Sequence, residues 1–274
     1  MCLFALLPLD DAPFPSTRLL LLHCSRLEHY SLCLCHFLPH HPPISSPYGT
    51  SLTVTNSILS GNRAAYGGAI YTQTATVSNS TLSNNSATVI GGGIYAFFIA
   101  HVSNSTLSGH SAGVYGGGIF ASTATVSDST LNANRAGETG GGIHATTLTL
   151  SNSALSSNSA TTYGGGIYST FATVSDSTFS GNSANYGGGI KINSISIAQA
   201  TISNSTFSGN TAGTSGGAIS NPGGTMTLTD NKFGTAVPSG TANIAPTGPN
   251  VDNLSRSTGS GNDPASCNAN SGSC

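Results

Sequence analysis

One apolar position recurs down this chain at a nearly constant interval. It is filled by Val54, Val77, Val102, Val126, Leu150, Val174, Ile202 and Leu228, spaced 23, 25, 24, 24, 24, 28 and 26 residues apart. A period in this range marks a repeat architecture, in which each unit stacks on its neighbours to bury a core that it cannot close alone. Helical repeats do not fit, because the units are rich in Thr, Val, Ser and Gly and poor in helix formers. One coil of a single-stranded β-solenoid uses about this many residues.

Aligning the units on that marker exposes the geometry. Two residues earlier stand Leu52, Ala75, Ala100, Ala124, Leu148, Ala172, Ala200 and Met226; between them and the marker stands Thr, or His101 once. Ser or Thr follows the marker. Such alternation describes a strand with one buried face. Next comes an Asn/Asp column, Asn56, Asn79, Asn104, Asp128, Asn152, Asp176, Asn204 and Asp230, whose side chains suit turns and left-handed backbone. A second buried column follows at Leu59, Leu82, Leu107, Leu131, Leu155, Phe179, Phe207 and Phe233. Three residues on stand Asn62, Asn85, His110, Asn134, Asn158, Asn182 and Asn210, a ladder able to bond amide to amide between coils. Glycines then open a third strand, as in Gly67-Gly68-Ala69-Ile70 and Gly91-Gly92-Gly93-Ile94. Three strands, three corners and three inward columns per coil predict an all-β parallel solenoid of seven to eight coils over residues 48–240.

The tetrapeptides Gly216-Gly217-Ala218-Ile219, Phe179-Ser180-Gly181-Asn182 and Phe207-Ser208-Gly209-Asn210 carry a family likeness. The chain resembles, over about residues 50–233, the polymorphic outer membrane proteins, surface autotransporters with right-handed parallel β-helix passengers. Five coils read Gly-Gly-Gly, five use Leu where the family uses Phe, and His110 replaces one Asn. The resemblance implies a right-handed β-helix, export to the cell surface with outer-membrane association, and an adhesin-like or structural passenger. No segment reads as the family's translocation barrel, so only the passenger fold is carried over.

Composition narrows the chemistry. Charged residues make up 6% of the chain and the formal net charge is -2, against ~25% charged in ordinary globular domains. With no basic patch to hold phosphates, no nucleic-acid partner is expected. Apolar runs near the start, such as Leu19 to Leu22, fall far short of the ~20 residues of a membrane helix, so no membrane span is expected. No phosphate loop and no calcium nonapeptide occurs, and no cofactor is implied.

Parallel β-helices also serve polysaccharide hydrolases and lyases, which makes catalysis the alternative to weigh. Asp128 and Asp176 share a column two coils apart, ~9.6 Å at the sheet spacing, the outer limit for an inverting carboxylate pair. Turn capping explains the same column without catalysis. His101, His110 and His144 fall in three different columns, so no metal site is expected. Outward after each glycine-strand isoleucine come Tyr71, Tyr95, Phe120, His144 and Tyr168, then Lys191 and Ser220. Those rings are either a stacking stripe for surface glycans or simply rings packing on one another. The threonine column, partly doubled by Thr74, Thr123, Thr147 and Thr225, raises ice binding as a further alternative. The clearest insertion, around Ile192 to Ala200, is where a site is sought first.

Residues 1–47 contain no glycine but hold Cys2, Cys24, Cys33, Cys35 and five of the eight histidines. Three readings stay open for them: an artefactual start, a disordered leader, or an N-terminal cap. Zinc binding by this set is disfavoured, because Cys33-x-Cys35 is not a usual ligand spacing. Residues 241–274 form a tail rich in Pro, Gly, Asn and Ser, in which Cys267 and Cys274 either bridge or stay free. The expected partner is a host or neighbouring cell surface, and the expected function is that of a non-catalytic surface rod.

Overall fold

The computed structural model describes residues 44–45, 51–195, 197–234, 243, 251 and 257–260. The leader's Cys/His set, Cys267 and Cys274 lie outside the described residues. The repeat winds into a parallel β-solenoid of about eight turns, with almost no helix. Three parallel sheets run along the stack, with twelve, eight and seven strands. Each strand pairs with its equivalent one coil away. In the second sheet, for example, Leu82, Leu107, Leu131, Leu155, Phe179 and Phe207 follow one another in register.

The third strand is not where the glycines placed it. The isoleucine strand runs on into the next marker strand, so that Ile70–Ser78, Ile119–Ser127, Ile143–Ser151 and Ile167–Ser175 are single nine-residue strands of the long sheet. Both halves bond to the same neighbouring strands, which is why a bend between them does not end the pairing. The true third sheet is built from short segments just after the amide ladder, including Ser111–Ala112, Arg135–Ala136 and Ser159–Ala160. Its alanines stack as a further inward column.

Backbone sign explains the corners. All eight members of the Asn/Asp column are left-handed, with φ from 46° at Asn104 to 54° at Asp230. Asn and Asp tolerate this region through local side-chain hydrogen bonding. The corner before each isoleucine is a left-handed glycine from Gly67 (φ 57°) to Gly216 (φ 67°). A Cβ on Gly67 would also lie 2.1 Å from the Ile70 carbonyl oxygen, so glycine is required twice over.

Inside, the marker, leucine/phenylalanine and isoleucine columns merge into one core. Phe179, Phe207 and Phe233 stack with centroids 4.7 and 5.1 Å apart. Two polar ladders accompany the core. In one, a backbone N–H of each coil donates to the serine hydroxyl of the next, from Ser57 to Ser80 (3.1 Å) through Ser177 to Ser205 (3.2 Å). In the other, Asn134 Nδ2 donates to Asn158 Oδ1 (2.9 Å), Asn158 to Asn182 (3.0 Å) and Asn182 to Asn210 (2.9 Å). Each amide also donates to a leucine or phenylalanine carbonyl of the preceding coil, as Asn158 does to Leu131 (2.9 Å). These bonds satisfy buried polar groups that would otherwise cost ~1–3 kcal/mol each.

The amide ladder and the long sheet reach beyond the last regular coil. Asn210 donates to Asn243 Oδ1 (2.8 Å), Ile219 bridges Val251, and Thr225–Thr229 pairs with Ser257–Ser260. At the other end Ile44–Ser45 pairs with Ile70–Tyr71.

Candidate functional site

Three outward features compete for function. The first is the carboxylate column. Asp128, Asn152 and Asp176 are exposed on left-handed turns and line an open depression of 410 Å³ with Ser129, Thr130 and Thr178 among others. Asn152 Nδ2 donates to Asp128 Oδ1 at 2.8 Å. The amide between the two acids therefore ties one of them into the turn array. No Lys, Arg or His lines the depression.

The second is the threonine face. Thr53, Thr125, Thr149, Thr173, Thr201 and Thr227 stand on the outer side of the long sheet. Its second rank runs Thr74, Ile99, Thr123, Thr147, Phe171, Gln199 and Thr225 in register. Ile99, Phe171 and Gln199 break the array of hydroxyls.

The third is the aromatic face, and here the sequence columns come together. Tyr71, Tyr95, Phe120, His144 and Tyr168 form an unbroken row with successive centroids 5.2, 5.2, 4.9 and 4.9 Å apart. Tilted and edge-on angles between 36° and 78° are those that ring quadrupoles prefer. A second row, not seen in the sequence, flanks it. Tyr66, Tyr115, Tyr163 and Tyr186 occupy the strand position before the glycine corner, alternating with Ile90 and Thr139. Tyr115 packs on His144 at 5.2 Å, Tyr66 on Tyr95 at 6.0 Å, and Tyr163 on Tyr168 at 6.1 Å.

The face carries little charge. Burial lowers the His144 pKa to about 4, and its Nδ1 pairs with the Thr139 hydroxyl at 2.6 Å, so the imidazole is a neutral ring near pH 7. Burial first, then neighbouring tyrosines, raises the phenols of Tyr95 and Tyr168 and keeps them protonated. The row ends at Lys191, which is buried, donates to the Ile192 carbonyl (3.2 Å) and lies 5.7 Å over the Tyr163 ring.

The remaining candidates separate. His101 is exposed on the long sheet, whereas His110 sits in the amide ladder, 1% exposed. His110 Nδ1 accepts from the Asn85 backbone N–H at 3.1 Å, while Nε2 has no hydrogen-bond partner. Burial lowers its pKa to about 4, against opposing pulls from the Asn85 and Leu82 backbones. Among the described residues no three His, Cys, Asp or Glu side chains cluster as metal ligands, and no helix is long and apolar enough to cross a membrane. The insertion after Ile192 exposes Ile195 and Ile197, and the depression beside Asp128 and Asp176 lies on other coils.

Comparison with known proteins agrees with this architecture. Residues 56–73, 79–96, 176–193 and 204–222 each match the model of the Chlamydia polymorphic membrane protein repeat. Each match runs from a left-handed Asn or Asp, through the amide ladder and the glycine corner, to the residues just past the isoleucine. The coils between them keep the same registers. No curated protein and no solved structure matches the chain. The chain is thus a parallel β-solenoid, four of whose coils match the polymorphic membrane protein repeat.

Proposed function

We propose that this chain is a surface-exposed passenger-type rod that acts by contact, not catalysis, and that its aromatic face is the contact surface. The observation that supports this is the unbroken row from Tyr71 to Tyr168, about 19 Å long at the sheet spacing and flanked by a second row of tyrosines. Large aromatic side chains bury much area at low conformational cost, which suits them to interfaces. Elsewhere the outer surface of the described residues is mostly Ser, Thr and Asn, and its exposed apolar side chains Ile195 and Ile197 lie on one turn. The repeat match adds the surface setting, since the family's name places its members in a membrane and the fold resembles an exported passenger.

The test is on intact producing cells. Antibodies raised against residues 51–234 are expected to label unpermeabilised cells, and external protease is expected to remove the epitope. Labelling that appears only after permeabilisation overturns the proposal.

A further inference from the structure

Between Tyr71 and Tyr168 the spacing of the aromatic row departs from 24 residues at one point. Val77 and Val102 are 25 residues apart, and the registers on both sides show where the extra residue went. Ala96 pairs with Ala121 and Ile99 with Thr123, so Phe97 and Phe98 together oppose the single Ser122. On the other neighbour they oppose the single Gln73. This is a β-bulge inside the sheet, a device that re-aims side chains. Both rings stand outward, 55% and 48% exposed, packed edge to face at 4.7 Å. They line a cleft of 350 Å³ with Tyr95, Phe120, Ser122 and Thr146, at the small end of ligand-site sizes.

We propose that this cleft is a subsite for an uncharged saccharide chain. The inference rests on the reading of the aromatic face as the contact surface and names its partner class. A pyranose has faces of C–H bonds and an edge of hydroxyls. The cleft offers the matching pair: ring faces and edges from Phe97, Phe98 and Phe120, and hydroxyls from Tyr95, Ser122 and Thr146. Alternate coils lie ~9.6 Å apart, about the length of a disaccharide unit, so an extended chain lying along the rod meets equivalent rungs. Charge matching selects the class. No Lys or Arg lines the cleft, His144 in its wall is neutral, and Lys191 is buried elsewhere on the row. An acidic or sulfated glycan finds no counter-charge there. A peptide adding as a strand finds no free edge, because the bulged strand is paired on both sides.

The experiment is saturation-transfer NMR and calorimetry on the full chain with cellohexaose and maltohexaose, using a galacturonic acid hexamer as the charged comparison. One variant is Phe97→Ser/Phe98→Ser. A second deletes Phe98 and so restores the 24-residue coil without the bulge. Thr81→Ala/Thr106→Ala, on the second sheet, is the control, and melting curves establish that every variant is folded. The expected result is binding of a neutral hexaose, at least tenfold weaker in both phenylalanine variants, within twofold of wild type in the control, and no binding of the acidic hexamer. Unchanged affinity without the phenylalanines, preference for the acidic hexamer, or binding of neither hexaose overturns the subsite. So does phenylalanine-dependent capture of random dodecapeptides in place of sugar. If sugar binding fails while the rod still adheres through its aromatic face, the subsite falls and the contact surface stands.

Discussion

The amide ladder inside the rod and the aromatic row outside it are both single columns repeated coil by coil, yet they obey different rules. In the ladder each Asn accepts from the coil before and donates both to that coil and to the next, as Asn158 does with Asn134, Leu131 and Asn182. Hydrogen bonds have direction, so the column tolerates almost no other residue, and its one exception, His110, leaves Nε2 without a partner. Stacking asks only for an apolar or flat side chain. The outer rows accordingly mix Tyr, Phe and His, with Ile90 and Thr139 interleaved. Except at His110, the described amides of the ladder bond one another and the backbone; the aromatic face has rings left over for something else.

The largest effect is expected at the ladder. Asn158→Ala strands the Asn134 backbone N–H and side-chain amide, takes the amide donor from the Leu131 carbonyl, and leaves Asn182 Oδ1 with only the Asn158 backbone N–H. A loss of about 3–5 kcal/mol is expected in urea unfolding; a loss below ~1 kcal/mol would mean that the ladder is incidental.

Acid sharpens the same contrast through the two exceptional histidines. His110 and His144 have folded pKa values of about 4, below the ordinary 6.5. Unfolded chains therefore take up protons between pH 6.5 and 4 that the folded rod refuses, so stability falls as pH drops through that window and levels off below it. Each histidine contributes up to about 3 kcal/mol to the fall. Unfolding at pH 7 and pH 4.5 measures it, and His110→Asn is expected to remove roughly half. A pH-independent midpoint would contradict the burial of both rings.

A smaller effect tests the corners. Left-handed backbone precedes the amide ladder at Gly61, Asn84, Gly109, Ala133, Ser157, Gly181 and Gly209. Ala133 (φ 55°) lacks both the freedom of glycine and the side-chain bonding of asparagine. Ala133→Gly is expected to stabilise the rod by about 1 kcal/mol in thermal or urea unfolding, whereas Ala136→Gly, on the neighbouring strand, is expected to destabilise it.

Much of the rod was legible because each coil repeats the same physical problem. The period, the inward columns and the left-handed Asn/Asp turns could all be read by alignment of the chain on itself. What failed to show was whatever lacked a propensity or a period. Ser111–Ala112, Arg135–Ala136 and Ser159–Ala160 are two-residue strands of residues that favour no strand, so the pattern points to the glycines instead. Asn243 and Val251 extend the ladder and the isoleucine column from 33 and 32 residues away, outside the regular spacing. The second aromatic row was hidden by its alternation with Ile90 and Thr139. At Phe97–Phe98 the 25-residue spacing was visible, but its meaning needed the register: an extra residue opposite one partner turns two rings outward. The longer insertion after Ile192 is the more conspicuous in the sequence, yet the apolar side chains it exposes are only Ile195 and Ile197, on a turn.

Whether the leftover rings are the contact surface is tested most directly by adhesion. Beads coated with the wild-type chain, with Tyr71→Ala/Tyr95→Ala/Tyr168→Ala, and with Thr81→Ala/Thr106→Ala/Thr130→Ala from the second sheet can be compared on cultured epithelial cells under flow. The account predicts that the tyrosine variant melts within a few degrees of wild type and loses at least nine-tenths of bead retention, while the threonine variant keeps it. Equal retention by all three, or equal loss in both variants, would contradict it.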